Sequence, residues 1–278
     1  MPFFGNATTA PTAYGRGKQV AIDVTATNST TFTVRGTASG LISSGQYEFD
    51  VGNGFIRRAT HSADIAGDIS AQGVNGRDSV GALAGNSWGY FYALLKTSDL
   101  TTVAFVVSAN PPATGPVLAN ALSAYQSPMF CGAVRINGAG NFARGYRRND
   151  IWRYASSLSD GLISTVTTLP TTEQTAALAT VVPPTAVLWV LHSLTQLVTA
   201  VVANSAQLEL RNITALASLR CNGVVIETAN QPAVADDNDI VMPCLTTQDY
   251  RYLWLVTGTQ AAGTSGVHYC SGYVEPIT

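Results

Sequence analysis

The stretch SWGYFYALLK, residues 87–96, is followed after a short link by TVAFVVS, residues 102–108. Successive side chains of a β-strand point to opposite faces of its sheet. The even-numbered side chains from Trp88 to Leu94 therefore share one face, and the odd-numbered side chains from Phe91 to Leu95 share the other. Because both faces are apolar, this pair of segments predicts a hairpin whose first strand lies in the centre of a β-sandwich.

The composition also favours β structure. Hydrophobic residues make up 46% of the chain and charged residues only 12%, against a usual charged share of about 25%. The β-branched residues Thr and Val are frequent and fit a pleated sheet, whereas Glu, Lys and Met, which favour helices, are scarce. We therefore predict an all-β chain that is hydrated mainly by Thr, Ser, Asn and Gly.

Apolar residues alternate in further short segments on both sides of this hairpin. The predicted strands cover residues 20–24, 32–34, 47–51, 55–60, 131–136, 186–192, 208–211, 223–227 and 249–256. Polar turns separate them, such as Gly52-Asn53-Gly54, where Asn and Gly accept a positive φ at little cost. Regular short strands with such turns are typical of a β-sandwich or a jelly roll.

The length and the change of pattern near residue 157 predict two domains. A chain of 278 residues suits two domains of about 100–150 residues each. We predict an extended N-terminal arm over residues 1–16, a β-sandwich over 17–157, and a second sandwich or jelly roll over 158–278. The arm is rich in Thr, Ala, Pro and Gly and has no hydrophobic period, so it is expected to order against a neighbouring subunit.

The net charge and the absence of targeting patterns limit the classes of partner and the location that we expect. The formal net charge is −2, so no overall positive field attracts a polyanion, and nucleic acid is a disfavoured partner. The start of the chain lacks the pattern of a secretory signal, and no apolar run reaches the roughly 18 residues of a membrane span. We expect a protein made in the cytoplasm without membrane insertion, with its four cysteines as buried thiols.

One ordered series of segments carries a family resemblance. A Trp-led aromatic strand (88–95) leads through a hairpin to a second strand ending in Ser (103–108), a proline-bearing loop (111–116), the strand Gly-Ala-Val-Arg (132–135), and an Asn-Gly turn before Asn-Phe (137–142). This order resembles a pattern in virion proteins of tailed bacteriophages. The chain departs from that pattern at residues 118–127, where a longer segment replaces the compact Pro-Ser-Gly-Tyr segment of the pattern. The resemblance implies a structural role in the virion, in the tail, in fibre attachment or in capsid decoration.

The most unusual local feature is a basic segment with interleaved aromatics, RGYRRNDIWR, residues 144–153. Arginine and aromatic residues are favoured at protein interfaces, because a guanidinium binds carboxylates in two places and stacks on rings. A phosphate or nucleic-acid contact and a solvated surface are the alternatives. The predicted contact residues are Arg144, Tyr146, Arg147, Arg148, Trp152 and Arg153.

Candidate catalytic and binding chemistry is weak. The three histidines, His61, His192 and His268, have no Gly-x-Ser-x-Gly nucleophile motif to accompany them, and His192 is interpreted as a residue at the core edge or an interface. The run Asp236–Asp239 lacks the spacing of a calcium loop and is interpreted as a solvated turn. No catalytic residue, cofactor or metal ligand is predicted.

The aromatic strands leave one binding alternative open. Tyr90, Tyr92, Tyr250, Tyr252 and Trp254 are interpreted as core, but they could instead form a platform on which sugars stack. We therefore predict a non-enzymatic structural component of the virion that binds other virion proteins and copies of itself, as a homo-oligomer for which a trimer is expected. A receptor- or glycan-binding module is the alternative, and a hydrolase of cell-surface polymer is the third hypothesis.

Overall fold

The computed structural model describes residues 19–26, 29–41, 45–211 and 218–276. The predicted arm over residues 1–16 lies outside these ranges. Strands dominate the described chain, and its helical elements are single turns at Thr37–Ser39, Asn120–Leu122 and Ser157–Asp160. The prediction of an all-β chain is confirmed. No helix in the described ranges is long and apolar enough to cross a membrane.

The strands fall into two compact units. The strands of the first unit are β1 (Ala21–Val24), β2 (Thr31–Val34), β3 (Gln46–Asp50), β4 (Ile56–Thr60), β5 (Ile65–Asp68), β6 (Gly76–Arg77), β7 (Ser87–Lys96), β8 (Val103–Ser108), β9 (Tyr125–Ile136), β10 (Gly145–Arg148) and β11 (Ile151–Tyr154). Those of the second unit are β12 (Leu162–Val166), β13 (Gln174–Ala177), β14 (Leu188–Leu197), β15 (Ser205–Arg211), β16 (Ser218–Val225), β17 (Ala233–Pro243), β18 (Asp249–Val256) and β19 (Ser265–Val274).

The boundary between the units lies between Ala155 and Ser156, whereas the sequence predicts it between residues 157 and 158. The end of the chain also differs from the prediction. Glu275 belongs to the first unit and not to the second, because its side chain packs into the interior of the first unit. The second unit, Ser156–Val274, is therefore inserted between two parts of the first.

The first unit is built from two layers and an additional hairpin. One layer has the antiparallel order β5-β2-β1-β10-β11, and the other has the order β6-β8-β7-β9, in which only β6 and β8 are parallel. The rings of Phe32 on β2 and Phe91 on β7 meet edge to face at 4.9 Å, so the layers pack against each other. Strands β3 and β4 form the hairpin, and Tyr47 packs against Phe105 on β8.

Strand β7 is covered on both faces. Phe91 packs against Phe32 and Phe142 on one side. On the other side Tyr90, Tyr92 and Leu94 form a buried cluster with Leu122 and Phe130. Since β8 and β9 flank β7 in the sheet, the prediction of a central strand at residues 87–96 is confirmed.

The second unit consists of two four-stranded antiparallel sheets. Their orders are β12-β19-β14-β17 and β13-β18-β15-β16. Pairs of strands are nested around the centre of the unit: β15 with β16, β14 with β17, β13 with β18, and β12 with β19. Eight antiparallel strands nested in this way and divided over two sheets have the jelly-roll topology. The first sheet contributes Trp189 and His268 to the core, and the second contributes Tyr250, Tyr252 and Trp254.

Candidate functional site

The predicted contact segment forms β10, a turn and β11, and the alternation of these strands separates its residues. Tyr146 is 44% exposed, whereas Arg147 and Trp152 are both 0% exposed. Arg144, Arg148 and Arg153 are half-buried. The interface prediction therefore needs correction at Arg147 and Trp152, because these side chains lie inside the first unit and cannot reach a partner.

Each nitrogen of the Arg147 guanidinium donates a hydrogen bond in this interior. Its Nη1 donates to Glu275 Oε2 at 2.7 Å, its Nη2 donates to the Glu275 carbonyl at 3.0 Å, and its Nε donates to the Asn149 carbonyl at 2.6 Å. The same Glu275 oxygen accepts the backbone N–H of Ala133 at 2.9 Å. A buried ion pair needs additional hydrogen bonds of this kind to offset the loss of hydration.

Gly132 makes room for the buried arginine. It has φ +125°, and a Cβ at this position would overlap the guanidinium of Arg147. The pairing of β7 with β9 shifts between Phe91 and Tyr92, so that Cys131 is the extra residue of a β-bulge. The glycine of the Gly-Ala-Val-Arg sequence that carries the phage resemblance therefore has a structural role in this chain.

Arg148 belongs to a surface network of ion pairs on the first unit. Asp23 accepts from Arg148 Nη1 and from Arg35 Nε, each at 2.6 Å, and Arg35 Nη1 reaches Asp64 at 2.7 Å. The backbone N–H of Gly36 and the Arg35 guanidinium lower the pKa of Asp64. Arg148 also lies over the Tyr146 ring, 5.1 Å from its centroid. These charges are mutually compensated within the first unit.

The histidines have structural environments. His268 is fully buried, and its burial lowers the pKa of the imidazole to about 3. Its ring stacks on Trp254 at 5.0 Å, and its Nδ1 lies 2.6 Å from the Tyr250 hydroxyl. His192 is half-buried, and its Nε2 lies 2.5 Å from Asp236 Oδ1. Burial also lowers the pKa of His61.

The aromatic strand residues are all core. Tyr90, Tyr92, Tyr250, Tyr252 and Trp254 are each at most 5% exposed. They therefore form no sugar-stacking platform, and their interpretation as core residues is confirmed. The run Asp236–Asp239 was expected in a turn but lies within strand β17, where the pairing with β14 is irregular between Leu191 and Ser193.

A group of charged side chains in the second unit converges on the outer face of the sheet β13-β18-β15-β16. Arg211 and Arg251 are directly opposite each other on β15 and β18, and Glu173 bonds both, at 3.3 and 2.9 Å. Glu209 accepts from Arg211 at 2.8 Å and from Arg220 at 3.4 Å. The hydrogen bond from Arg211 is the main reason that the pKa of Glu209 is lowered. We call these three arginines and two glutamates the arginine face.

The arginine face is not predicted from the sequence, because its members come from three strands and the segment before β13. A local signal was present: in LELR (208–211) and YRYLWL (250–255), arginine alternates with large apolar residues. Such alternation indicates a strand with one charged and one buried face.

Among the residues that the structure describes, no three His, Cys, Asp or Glu side chains are grouped closely enough to hold a metal ion. The four cysteines are described, and none of them forms a disulfide. A comparison with models of known protein families finds no match, and a comparison with curated proteins finds no similar chain.

Proposed function

We propose that the chain is a non-enzymatic structural component of a bacteriophage virion, in the tail, in fibre attachment or in capsid decoration. The observation that carries this proposal is the jelly-roll topology of the second unit, an architecture found in viral capsid proteins as well as in lectins and cupins. Because one architecture serves several functions, the proposal also draws on the resemblance of residues 88–142 to virion proteins of tailed phages.

Side chains that often carry chemistry, such as histidine and arginine, lie in the core of this chain, and this supports a structural role. His268 and the aromatic side chains of β18 fill the core of the second unit, and Arg147 is used in a buried ion pair.

The chain's partners in this proposal are other virion proteins and copies of itself, and it resides in the virion after synthesis in the host cytoplasm. We propose a homo-oligomer, with three copies as the expected number. In solution, such a trimer has three times the mass of the 29.1 kDa chain.

The test is to purify particles from a phage that encodes this chain. The chain should remain with the particles through a high-salt wash, in a fixed copy number by quantitative mass spectrometry. An abundant cytoplasmic host protein measured in the same samples is the control and should be lost. Sedimentation equilibrium of the isolated chain should give an oligomeric mass. A monomer that stays in the supernatant of the particle preparation contradicts the proposal.

The alternative function, a receptor- or glycan-binding module, is supported by a different observation. The aromatic side chains that suggested it are buried, but the arginine face lies open on the second unit. Its charge and the polar residues beside it favour a ligand with carboxylate and hydroxyl groups.

A further inference from the structure

The outer face of the sheet β13-β18-β15-β16 is defined by strand alternation. Tyr250, Tyr252 and Trp254 of β18 point into the core, so Arg251 and Leu255 point outward. In β15, Ala206, Leu208 and Leu210 are buried, so Gln207 and Arg211 point outward on the same face. The arginine face and its surroundings are therefore one surface of the second unit.

Two like charges oppose each other at the centre of the arginine face. Arg211 and Arg251 are directly paired across the strands, an arrangement that is unfavourable unless an anion lies between them. Glu173 supplies one carboxylate, but the two arginine side chains remain 43% and 42% exposed. A guanidinium has five N–H donors, and Arg251 uses one of them on Glu173. The pair can therefore bind a further carboxylate from solution.

A hollow of about 350 Å³ lies on the same sheet, at the opposite end of β15 from Arg211. Its lining residues are Thr171, Ser205, Gln207 and Thr257, which carry hydroxyl or amide groups, and the apolar residues Trp254, Leu255 and Val256. Hydroxyl and amide groups hydrogen-bond the hydroxyls of a sugar, and an exposed leucine packs against its C–H groups. The volume lies within the range of small-ligand sites, about 300–1,000 Å³.

The hollow and the arginine pair are separated along β15. Gln207 and Arg211 are four residues apart on one strand, which corresponds to about 13 Å at about 3.3 Å per residue. A ligand that reaches both must be longer than one sugar ring. An oligosaccharide with carboxylates at intervals meets both requirements.

We propose that this surface of the second unit binds a carboxylate-bearing oligosaccharide. A sugar carboxylate pairs with Arg211 and Arg251, and neighbouring sugar hydroxyls bond Gln207 and Ser205. The inference rests on the alternative function, glycan binding, and is independent of the virion role.

The two glutamates of the arginine face disfavour binding of a polyanion with closely spaced charges. Three arginines and two glutamates leave a single net positive charge on the face, so closely spaced phosphates of a nucleic acid meet repulsion from Glu173 and Glu209. A neutral sugar makes no use of the arginine pair. The charge and the polar lining together select a ligand of low charge density.

The experiment uses the full chain and a galacturonic acid oligomer, with a neutral galactose oligomer of equal length as the matched ligand. Isothermal titration should show saturable binding of the acidic oligomer only. Arg251→Gln and Arg211→Gln should each weaken binding at least about tenfold. Arg58→Gln is the control, because Arg58 is an exposed arginine of the first unit with one carboxylate partner, Glu48. It should leave the affinity unchanged.

NMR chemical-shift mapping on the unmodified chain tests the same surface without relying on the folding of the variants. Chemical-shift changes caused by the acidic oligomer should centre on the amides of Ser205, Gln207 and Arg251. The proposal is overturned if no saturable binding occurs, if both arginine variants bind as well as the control, or if shifts centre elsewhere. It is also overturned if polyglutamate or DNA binds as tightly with the same dependence on Arg251. Failure of the virion role would be detected in the particle preparation and not in these titrations.

Discussion

Arg147 and Glu275 lie 128 positions apart in the sequence, yet their side chains form a 2.7 Å salt bridge with no exposed surface. Removing one partner of such a pair leaves a buried charge without compensation. The stability of the first unit therefore depends on a residue that follows the whole second unit in the chain.

Replacing Arg147 with methionine should destabilise the first unit by about 3–5 kcal/mol. The reason is that the buried carboxylate of Glu275 loses the positive charge of Arg147 that offsets its burial. Hydrogen exchange at the amides of β10 and β1 measures the effect in the first unit directly. Arg58→Met, which breaks an exposed pair, should cost less than about 1 kcal/mol.

Combining Arg147→Met with Glu275→Leu should recover a large part of that loss, because the double replacement leaves no buried charge. A double variant as unstable as the sum of the single variants contradicts the assignment of an energetically coupled pair.

Gly132→Ala should destabilise the first unit more than a glycine replacement that only strains the backbone. A Cβ at Gly132 meets the Arg147 guanidinium and the backbone has φ +125°, whereas Gly54 has φ +77° with open space around it. We expect about 1 kcal/mol for Gly54→Ala and clearly more for Gly132→Ala. Denaturant midpoints of the two variants, compared with the unmodified chain, give the difference. Equal midpoints would show that Arg147 can move aside without cost.

Local pattern predicted many of the strands and the hairpin of β7 with β8, but not the pairing of strands that are distant in the sequence. The alternation over residues 87–96 and 102–108 gives β7 and β8 almost residue for residue, since a strand with two apolar faces is readable from its own side chains. The strands that were not predicted are β5, β6, β10, β11, β12, β13, β17 and β19. In β17 the run Asp236–Asp239 interrupts the alternation, and in β19 two glycines and polar residues do so. The nesting of β12 with β19 cannot be read from either strand alone.

The site prediction failed at Arg147 for the same reason. Composition indicates that a segment rich in Arg and aromatics is exposed, and only the distant Glu275 and the glycine at 132 make burial possible. Conversely, the arginine face has no dense basic segment, because strand pairing brings Arg211 and Arg251 together.

The pH dependence of the second unit should reflect His268. Burial lowers the pKa of this imidazole from 6.5 to about 3, so below pH 6.5 the unfolded chain takes up a proton that the folded chain does not. The contribution to stability is complete above pH 6.5 and is lost as the pH falls toward 3. Each pH unit in this window removes up to about 1.4 kcal/mol.

The measurement for His268 is the denaturant midpoint of the second unit as a function of pH, compared with His268→Gln. Glutamine can still hydrogen-bond the Tyr250 hydroxyl but does not titrate. The stability of the variant should therefore fall less steeply with decreasing pH, by the contribution of one proton. Carboxylates that titrate in this pH range affect the unmodified chain and the variant equally. Their contribution therefore cancels when the two pH slopes are subtracted. Identical slopes would show that the folded chain protonates His268 as readily as the unfolded chain does.

The hydrogen bond between the Trp254 indole and the Thr195 hydroxyl should stabilise the core of the second unit. Trp254 Nε1 donates to Thr195 Oγ1 at 3.0 Å, and both residues are buried. Thr195→Val keeps the shape but leaves the N–H without this acceptor, which should cost about 1–3 kcal/mol in the free energy of unfolding. Thr165→Val on β12 removes an exposed hydroxyl and should change stability by less than about 0.5 kcal/mol.

Thr195→Ser retains the hydroxyl, so its indole N–H should keep the proton chemical shift of the unmodified chain, whereas Thr195→Val should move it. If Thr195→Val leaves both the shift and the unfolding midpoint unchanged, the indole has found another acceptor and the bond to Thr195 contributes nothing to the core.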